Sequence, residues 1–597
     1  MSHAFVLKAR DNTSSHSRCA GEPQSARRRA SHLPIIRCLI VACAMCCPRL
    51  AAEYRTYDGS GNNFIFPTAG AAGERVVRFG YEADYPDQIG DVITRAGKPN
   101  PRDVSNAVFA QPVSKVNARG LSDWVVHWGQ FLTHDMSLIR NDDPYNVLST
   151  GQVGDFRIPI TNPTDPLGPG FIPFNRSEFD PTSGDGSMEL TPAGMQFVPR
   201  WQINRSTSYI DASNVYGSGE VSALSLRTMS GGRLQTSANG SLPATDQHGF
   251  FVAGDERANE NVGLTSIHAL FVREHNRLAN AIANQDSSLS DEEIYQRARR
   301  IVGAEMQAIT YNEFLPALLG VSAPAAEDYT YLLDDASITL AFSTAAFRFG
   351  HSMQSPELAL VFPDGTTAGN IDLTQASRNP GLLSGNPELV DQLLKGMASQ
   401  RAQENDAQMV DPLRNQLLGP PGMGVPLDLA SLDIQRGRDH GLLNSYNQTR
   451  ISYSLPPLNS FAALTSDPAL QAQLASVYGH VDNVDMWVGI LSEDHLPGSS
   501  MGALGTSILR SQFLRLRDGD RFFFTGDGFF DDPFIASLVD LEAHTLNQII
   551  EFNTGMAIQD NVFFVVPEPN ATWIAIVGLL FAFKKHRENP CTNDLDC

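Results

Sequence analysis

Three polar side chains stand inside an otherwise apolar stretch, and their types suit proton and metal chemistry. The stretch is Leu121 to Arg140, LSDWVVHWGQFLTHDMSLIR, and the three are Gln130, His134 and Asp135. An imidazole exchanges protons near neutrality. Gln130 and His134 are four apart, so on a helix they share a face. Buried polar groups cost free energy unless something pairs with them. A hydrogen-bonded core histidine is the bland alternative. A second candidate is Arg205 to Ser218, RSTSYIDASNVYGS, where Thr207, Tyr209, Asp211 and Ser213 occur at alternate positions and offer oxygen donors at every second residue. Such a loop wraps a hard cation. One carboxylate is too little charge for tight Ca²⁺ binding, and Asp135 is the candidate for a second. A polar turn closed by an Asx or Ser/Thr bond is the alternative. His268 and His275, seven apart, lack an HExxH pattern or zinc spacing and read as structural. Arg257 and Glu260 fall in a loop, where rigid scaffolds often carry function.

The elements that must hold these residues follow from periodicity. Trp124, Val125, Trp128, Phe131, Leu132 and Leu138 recur at roughly helical spacing, which predicts a buried amphipathic helix. Phe251 to Ala281 predicts a Gly-Asp loop and then a long helix from about Leu264. FSTAAFRFGHSM (342–353) predicts an aromatic, small-residue helix carrying Arg348 and His351. DLASLDIQRGRDHG (428–441) sets a basic-acidic cluster in an apolar frame. Asn141 to Arg200 is dense in Pro, Asp and Gly and predicts a surface excursion without strong periodicity. No repeat of 20–50 residues is visible. The expected fold class is mainly α, one large domain over 53–565 with long loops and little β.

Composition narrows the function classes. Hydrophobic residues at 42% of 597 supply a large core. Net charge is -22, and residues 1–52 carry +6, so the rest sums to -28. That surface repels nucleic acid. Residues 53–590 contain no cysteine, so this body has no disulfide, thiolate nucleophile or Cys-bound metal. Residues 1–52 read as an export signal with a basic lead: Arg27–Arg29 and Arg37, the apolar run CLIVACAMCC, then Leu50-Ala51-Ala52. A disordered basic tail is the alternative. Residues 566–597 hold an apolar run, Ala571 to Phe583, then Lys584, Lys585, His586 and Arg587. Thirteen apolar residues fall short of the roughly 20 that span a bilayer. The basic flank fits a positive-inside stop, and a buried terminal helix is the alternative.

Eight motifs in order carry a resemblance. They are WGQFLTHD (128–135), STSYIDASNVYGS (206–218), AGDERANE (253–260), REHNRLA (273–279), AFRFGH (346–351), DIQRGRDHG (433–441), DNVDMWVG (482–489) and RLRDGDRF (515–522). With them the chain, from about Tyr54 to Phe564, resembles the animal-type haem peroxidases of the peroxidase–cyclooxygenase superfamily, most of all bacterial secreted members. The resemblance implies haem b and Ca²⁺ as cofactors. It implies His134 as distal histidine, Arg257 as distal arginine and Gln130 beside the peroxide and halide site. It implies His351 as the proximal iron ligand, Arg348 and Arg436 as haem-propionate partners, and Asp135, Thr207, Tyr209, Asp211 and Ser213 as the calcium site. The implied reaction reduces hydrogen peroxide and leaves the haem two oxidising equivalents above ferric, to be spent on small electron donors. The tail, with its VPEP, resembles a PEP-CTERM sorting signal, implying an exported protein, extracellular or at the cell surface, with C-terminal membrane anchoring before sorting.

Three positions depart from the mammalian pattern. Thr133 replaces an ester-forming Asp and Asn261 a sulfonium-forming Met. Glu260 matches the other ester-forming residue, so one haem link is permitted. Asp433 stands where mammalian members place an Asn beside the proximal His, and a carboxylate there draws the imidazole toward imidazolate and lowers the iron potential. These departures favour phenolics, iodide, thiocyanate and bromide over chloride. Two other readings compete. A fatty-acid dioxygenase of the same superfamily needs a radical tyrosine three residues before the proximal His, where this chain has Arg348. A non-catalytic surface or matrix adhesion protein would have no use for His134, Arg257 and His351 together.

Overall fold

Asn100 starts the first helix of the scaffold, α1 (Pro101–Val108): its side chain accepts from the Arg102 N–H, and Pro101 fills the first helical turn. The computed structural model describes residues 54–91, 98–141, 156–191, 194–418, 426–443 and 445–566. The export-signal segment lies outside these, as does the C-terminal tail after Val566.

Helix α2 (Trp124–Met136) is the expected helix over 121–140, shortened at both ends. It is buried on eleven of its thirteen residues, not on one face only, so it is a core helix rather than an amphipathic one. Its start is pinned by bridges from Leu121 to Phe564 and from Ser122 to Arg401, and by the Trp124 indole donating to the Leu394 carbonyl at 3.0 Å. Helix α3 (Val262–Gln285) begins two residues before the expected Leu264, because the Asn261 side chain caps it by accepting from the Leu264 N–H. Helix α4 (Asp291–Ile309) opens with a Ser290/Glu293 capping box and runs into a π turn at Thr310–Phe314.

The segment 342–353 departs from the single helix its composition predicts. It is a short helix (Leu340–Thr344), a 3₁₀ turn (Ala346–Arg348) and then α5 (Gly350–Met353), broken at Ala345. Phe342 and Phe347 stack at 4.6 Å, and Phe347 meets Phe349, Phe314 and Phe513 edge-on. Spacings of five and two are not helical, so gathering these rings into one cluster breaks the helix. Further on, α6 (Leu389–Ser399) packs against a hairpin of Glu357–Val361 with Thr367–Asp372. Gly396 allows the contact, since a Cβ there would sit 1.8 Å from the Ala359 carbonyl oxygen. Helices α7 (Leu429–Asp439), α8 (Ala503–Asp518) and α9 (Leu546–Thr554) complete the frame.

Sheet is confined to two-stranded antiparallel ladders among the described residues. Two of them, Ile158–Ile160 with Gly170–Ile172 and Met188–Thr191 with Gly194–Phe197, lie in the stretch read as an excursion without strong periodicity. The architecture is mainly helical, as expected. No described helix is long and apolar enough to cross a membrane.

One buried ion triad ties the frame together. Arg102 on α1 is fully buried between Asp165 and Asp428, each at 2.7 Å. Asp428 also caps α7, accepting from the Ser431 N–H. Arg102→Met leaves two carboxylates buried without their cation and should cost about 3–5 kcal/mol of unfolding free energy. Urea melts would read the loss, and adding Asp165→Asn with Asp428→Asn should return most of it.

Candidate functional site

Two clusters form around the two histidines that the sequence singles out. The first is built on α2 and the loop before α3. His134 is 4% exposed, with Nδ1 3.7 Å from Asp255 Oδ1 and Nε2 3.7 Å from Glu260 Oε2. Both distances are too long for hydrogen bonds, and Nδ1 is buried without a partner. Burial, and then the neighbouring Arg257 cation, holds the imidazole's pKa well below its ordinary value. His134 is therefore neutral and able to take a proton.

Arg257 is fixed from two sides. Its Nε and one terminal nitrogen donate to the two oxygens of Asp255 at 2.9 and 2.8 Å, and that terminal nitrogen also donates to the Ser137 carbonyl just after α2. Burial pushes the Asp255 carboxyl up, but Arg257, His134 and the Arg257 N–H outweigh it and hold the carboxyl well below its usual range. Asp255 is thus an anion that orients the Arg257 guanidinium. The motif AGDERANE contains Asp255, but the motif alone gives it no role. The available signal was an Asp two residues before an Arg, the spacing of an Asx turn.

Gln130 bridges to the same loop. Its amide nitrogen donates to Glu260 at 2.8 Å and its oxygen accepts from Asn261 at 3.1 Å. Asn261 therefore both caps α3 and braces Gln130. Burial raises the Glu260 pKa against the pull of Arg257. The Glu260 side chain is still 35% exposed, so it is a carboxyl open to chemistry. Thr133 turns its hydroxyl back to the Gly129 carbonyl at 2.8 Å.

The second cluster surrounds His351. Its Nδ1 lies 2.6 Å from Asp433 Oδ2, and Arg348 donates to Asp433 Oδ1 at 2.5 Å. Asp433 is fully buried, and His351 and Arg348 together hold its pKa below the ordinary value against burial. The other ring nitrogen of His351 makes no hydrogen bond among the described residues, and the side chain is 34% exposed. An imidazole backed by a carboxylate through one nitrogen and open at the other is the donor set of an iron ligand. The expected pull of Asp433 toward imidazolate is moderated, because Arg348 shares the same carboxylate. Arg436, one turn further along α7, donates to Ser177 Oγ at 2.8 Å and Asp439 at 3.0 Å and lies over the Phe174 ring. Burial brings its pKa down to about 10, so it stays charged. The carriers of the two clusters touch: a Cβ on Gly129 of α2 would lie 3.6 Å from Phe349, beside α5.

The oxygen-rich loop converges on the residue after His134. Asp135 accepts from the N–H groups of Asp211, Ala212 and Asn214 and from the Ser213 hydroxyl. Thr207 Oγ1 donates to Asp211 Oδ1 at 3.0 Å, while Asp211 Oδ2 is buried with no partner. The Tyr209 phenol donates to the Ala69 carbonyl, and its main-chain carbonyl faces Thr207. Burial, with Asp211 adding, pushes Asp135 up to about 8. Burial also raises Asp211. Two buried carboxylates of one sign, with an orphaned oxygen between hydroxyls and a carbonyl, fit a hard divalent cation.

Comparison with known proteins adds three findings. Residues 54–563 match the model of the family described as animal haem peroxidase. The chain is 34% identical over 492 residues to peroxinectin A of Dictyostelium discoideum, covering 79% of this chain and 89% of that one. It is 33% identical to the mouse peroxidasin homolog, of whose length it covers 38%. Among solved structures, Dictyostelium discoideum peroxidase A superposes with a TM-score of 0.72 at 31% identity, covering 86% of this chain and all of that one. A fatty acid alpha-dioxygenase from Oryza sativa superposes at 0.70 with 22% identity, a likeness of fold alone.

Asp255→Asn keeps the turn but removes the charge that orients Arg257. Haem content should be unchanged, and the reaction with hydrogen peroxide should slow by about tenfold to a hundredfold, as misplacing a transition-state donor does. Stopped-flow absorbance of the purified variant measures it.

Proposed function

The chain belongs to the animal haem peroxidase family and is a peroxidase; from that premise we propose which residues do the work and on what donors. His134 takes a proton from hydrogen peroxide and returns it to the leaving oxygen. Arg257, oriented by Asp255, offsets the negative charge that grows as the O–O bond breaks. Gln130 positions the peroxide and small donors near Glu260. His351 holds the haem, with Asp433 and Arg348 behind it, and Arg348 and Arg436 are the propionate partners. Haem, when bound, supplies the iron that takes up the two oxidising equivalents. The observation that carries this assignment is His134 itself: buried, unpartnered at Nδ1, and set beside a guanidinium that the Asp255 carboxylate fixes in place.

The donor range follows from Thr133, Asn261 and Asp433. At most one covalent haem link of the known kinds is open, an ester through Glu260. Phenolics, iodide, thiocyanate and bromide are the proposed donors ahead of chloride. Arg348, bound to Asp433, occupies the position where a dioxygenase would need its radical tyrosine, which disfavours that reading. We further read residues 53–565 as the catalytic domain, 1–52 as an export signal, and 566–597 as a PEP-CTERM-like sorting tail of a secreted bacterial protein. Ca²⁺ is proposed to be held by Asp135, Asp211, Thr207, Ser213 and the Tyr209 carbonyl.

Two experiments test the reading. His351→Ala should lose haem, whereas His134→Ala should keep it and reduce peroxide about 10²–10⁴-fold more slowly. Undiminished turnover in His134→Ala would sink the assignment. Exhaustive chelation should slow the peroxide reaction before the domain unfolds, because the metal would fix Asp135 and so the neighbouring His134. Unchanged rate and no released calcium would require the metal site to be withdrawn.

A further inference from the structure

A cavity of about 700 Å³ lies away from both histidines, among α3, α9, the start of α6 and the loop at 239–241. It is walled by a stripe of α3, Arg273, Arg277 and Asn280, whose spacings of four and three put them on one face. Arg273 is eleven residues beyond the start of α3, which is about 16 Å along the helix.

The polar groups of this cavity are held in place and electrically balanced. Arg273 donates to Asp391 and to the Ser241 carbonyl, both at 2.8 Å. Arg277 donates from Nε to the fully buried Glu274 at 2.8 Å. Asn553 also gives its amide N–H to Glu274, at 2.6 Å, which leaves its carbonyl oxygen for the cavity. Lining arginines and lining carboxylates are equal in number, two each, so no net field favours an ion. One large apolar group interrupts the polar wall. Phe552 is 56% exposed, and the Arg277 guanidinium lies 4.9 Å from its ring centre. Asn280 is exposed, with its amide engaged to no described residue.

We propose that this cavity binds a neutral saccharide unit. A pyranose presents a face of C–H groups that packs on an aromatic ring, and a rim of hydroxyls that pair with fixed donors and acceptors. Phe552 supplies the ring. The amides of Asn280 and Asn553 and the tethered Arg273 and Arg277 supply the convergent polar groups that give such a site its orientation. The cavity is too far from His134 and Glu260 to present substrate to them. Its role is to tether the peroxidase to a glycan.

The test uses the purified holoenzyme in native gels cast with dextran, galactomannan, xylan or hydroxyethylcellulose, against plain gels. At least one polysaccharide should retard the protein. Phe552→Ala and Asn280→Ala should each weaken that retardation about tenfold, equivalent to about 1.4 kcal/mol. Both side chains are exposed and outside the catalytic machinery, so haem absorbance, melting temperature and peroxide turnover should not change. Inorganic phosphate should not displace the glycan. Absence of retardation in all four gels, retardation of both variants as strong as that of the unaltered protein, or displacement by phosphate would each overturn the proposal.

Discussion

The carboxylate of Asp135 is the contact on which the site most depends. It is fully buried and collects three backbone N–H groups and the Ser213 hydroxyl from one loop. That set of bonds clamps residues 211–214 to α2. Because His134 is the preceding residue, the clamp also fixes the imidazole proposed to meet peroxide. A helix free to roll by a fraction of a turn would move His134 away from Asp255 and Glu260. The core resists such a roll, since Trp128 and Phe131 of α2 both pack on Phe271 of α3 and Trp128 also meets Phe563 edge-on.

Three of the buried carboxylates are tolerated because partners lie close by. Asp255 with Arg257, Asp433 with His351 and Arg348, and Asp439 with Arg176 and Arg436 repeat one arrangement: a carboxylate holding two cationic or imidazole partners. In a low-dielectric interior such pairs are strong and rigid. Rigidity is what the chemistry uses. A guanidinium already aimed at developing charge costs no reorganisation when the bond breaks. Behind the proximal imidazole the same arrangement divides one carboxylate between a hydrogen bond that enriches the ring and an ion pair that withdraws charge from it. An iron held by His351 would have its potential set by that balance, not by Asp433 alone.

Asn261 shows how a departure from a family's pattern can gain a local purpose. At this position the chain places an amide that caps α3 and braces Gln130 at once. Gln130 in turn reaches Glu260.

The sequence by itself determined everything that depends on local spacing. Gln130, His134 and Asp135 share one helix because a period of 3.6 brings neighbours three and four apart together. The absence of cysteine from 53–590 excluded thiol chemistry without any coordinates. The motif order was enough to pair Asp135 with the 207–213 loop. Only the tertiary structure decided what depends on distant groups meeting. His351 and Arg348 share Asp433 across 82 and 85 residues. The phenol of Tyr209 turns to Ala69, leaving only its carbonyl toward Thr207. The helix expected over 342–353 breaks because its phenylalanines join rings from two other elements. Asp255 becomes part of the site only when the loop after the 207–218 segment folds back beneath His134. Local periodicity carries none of this, because these contacts are chosen by burial and charge pairing in the assembled core.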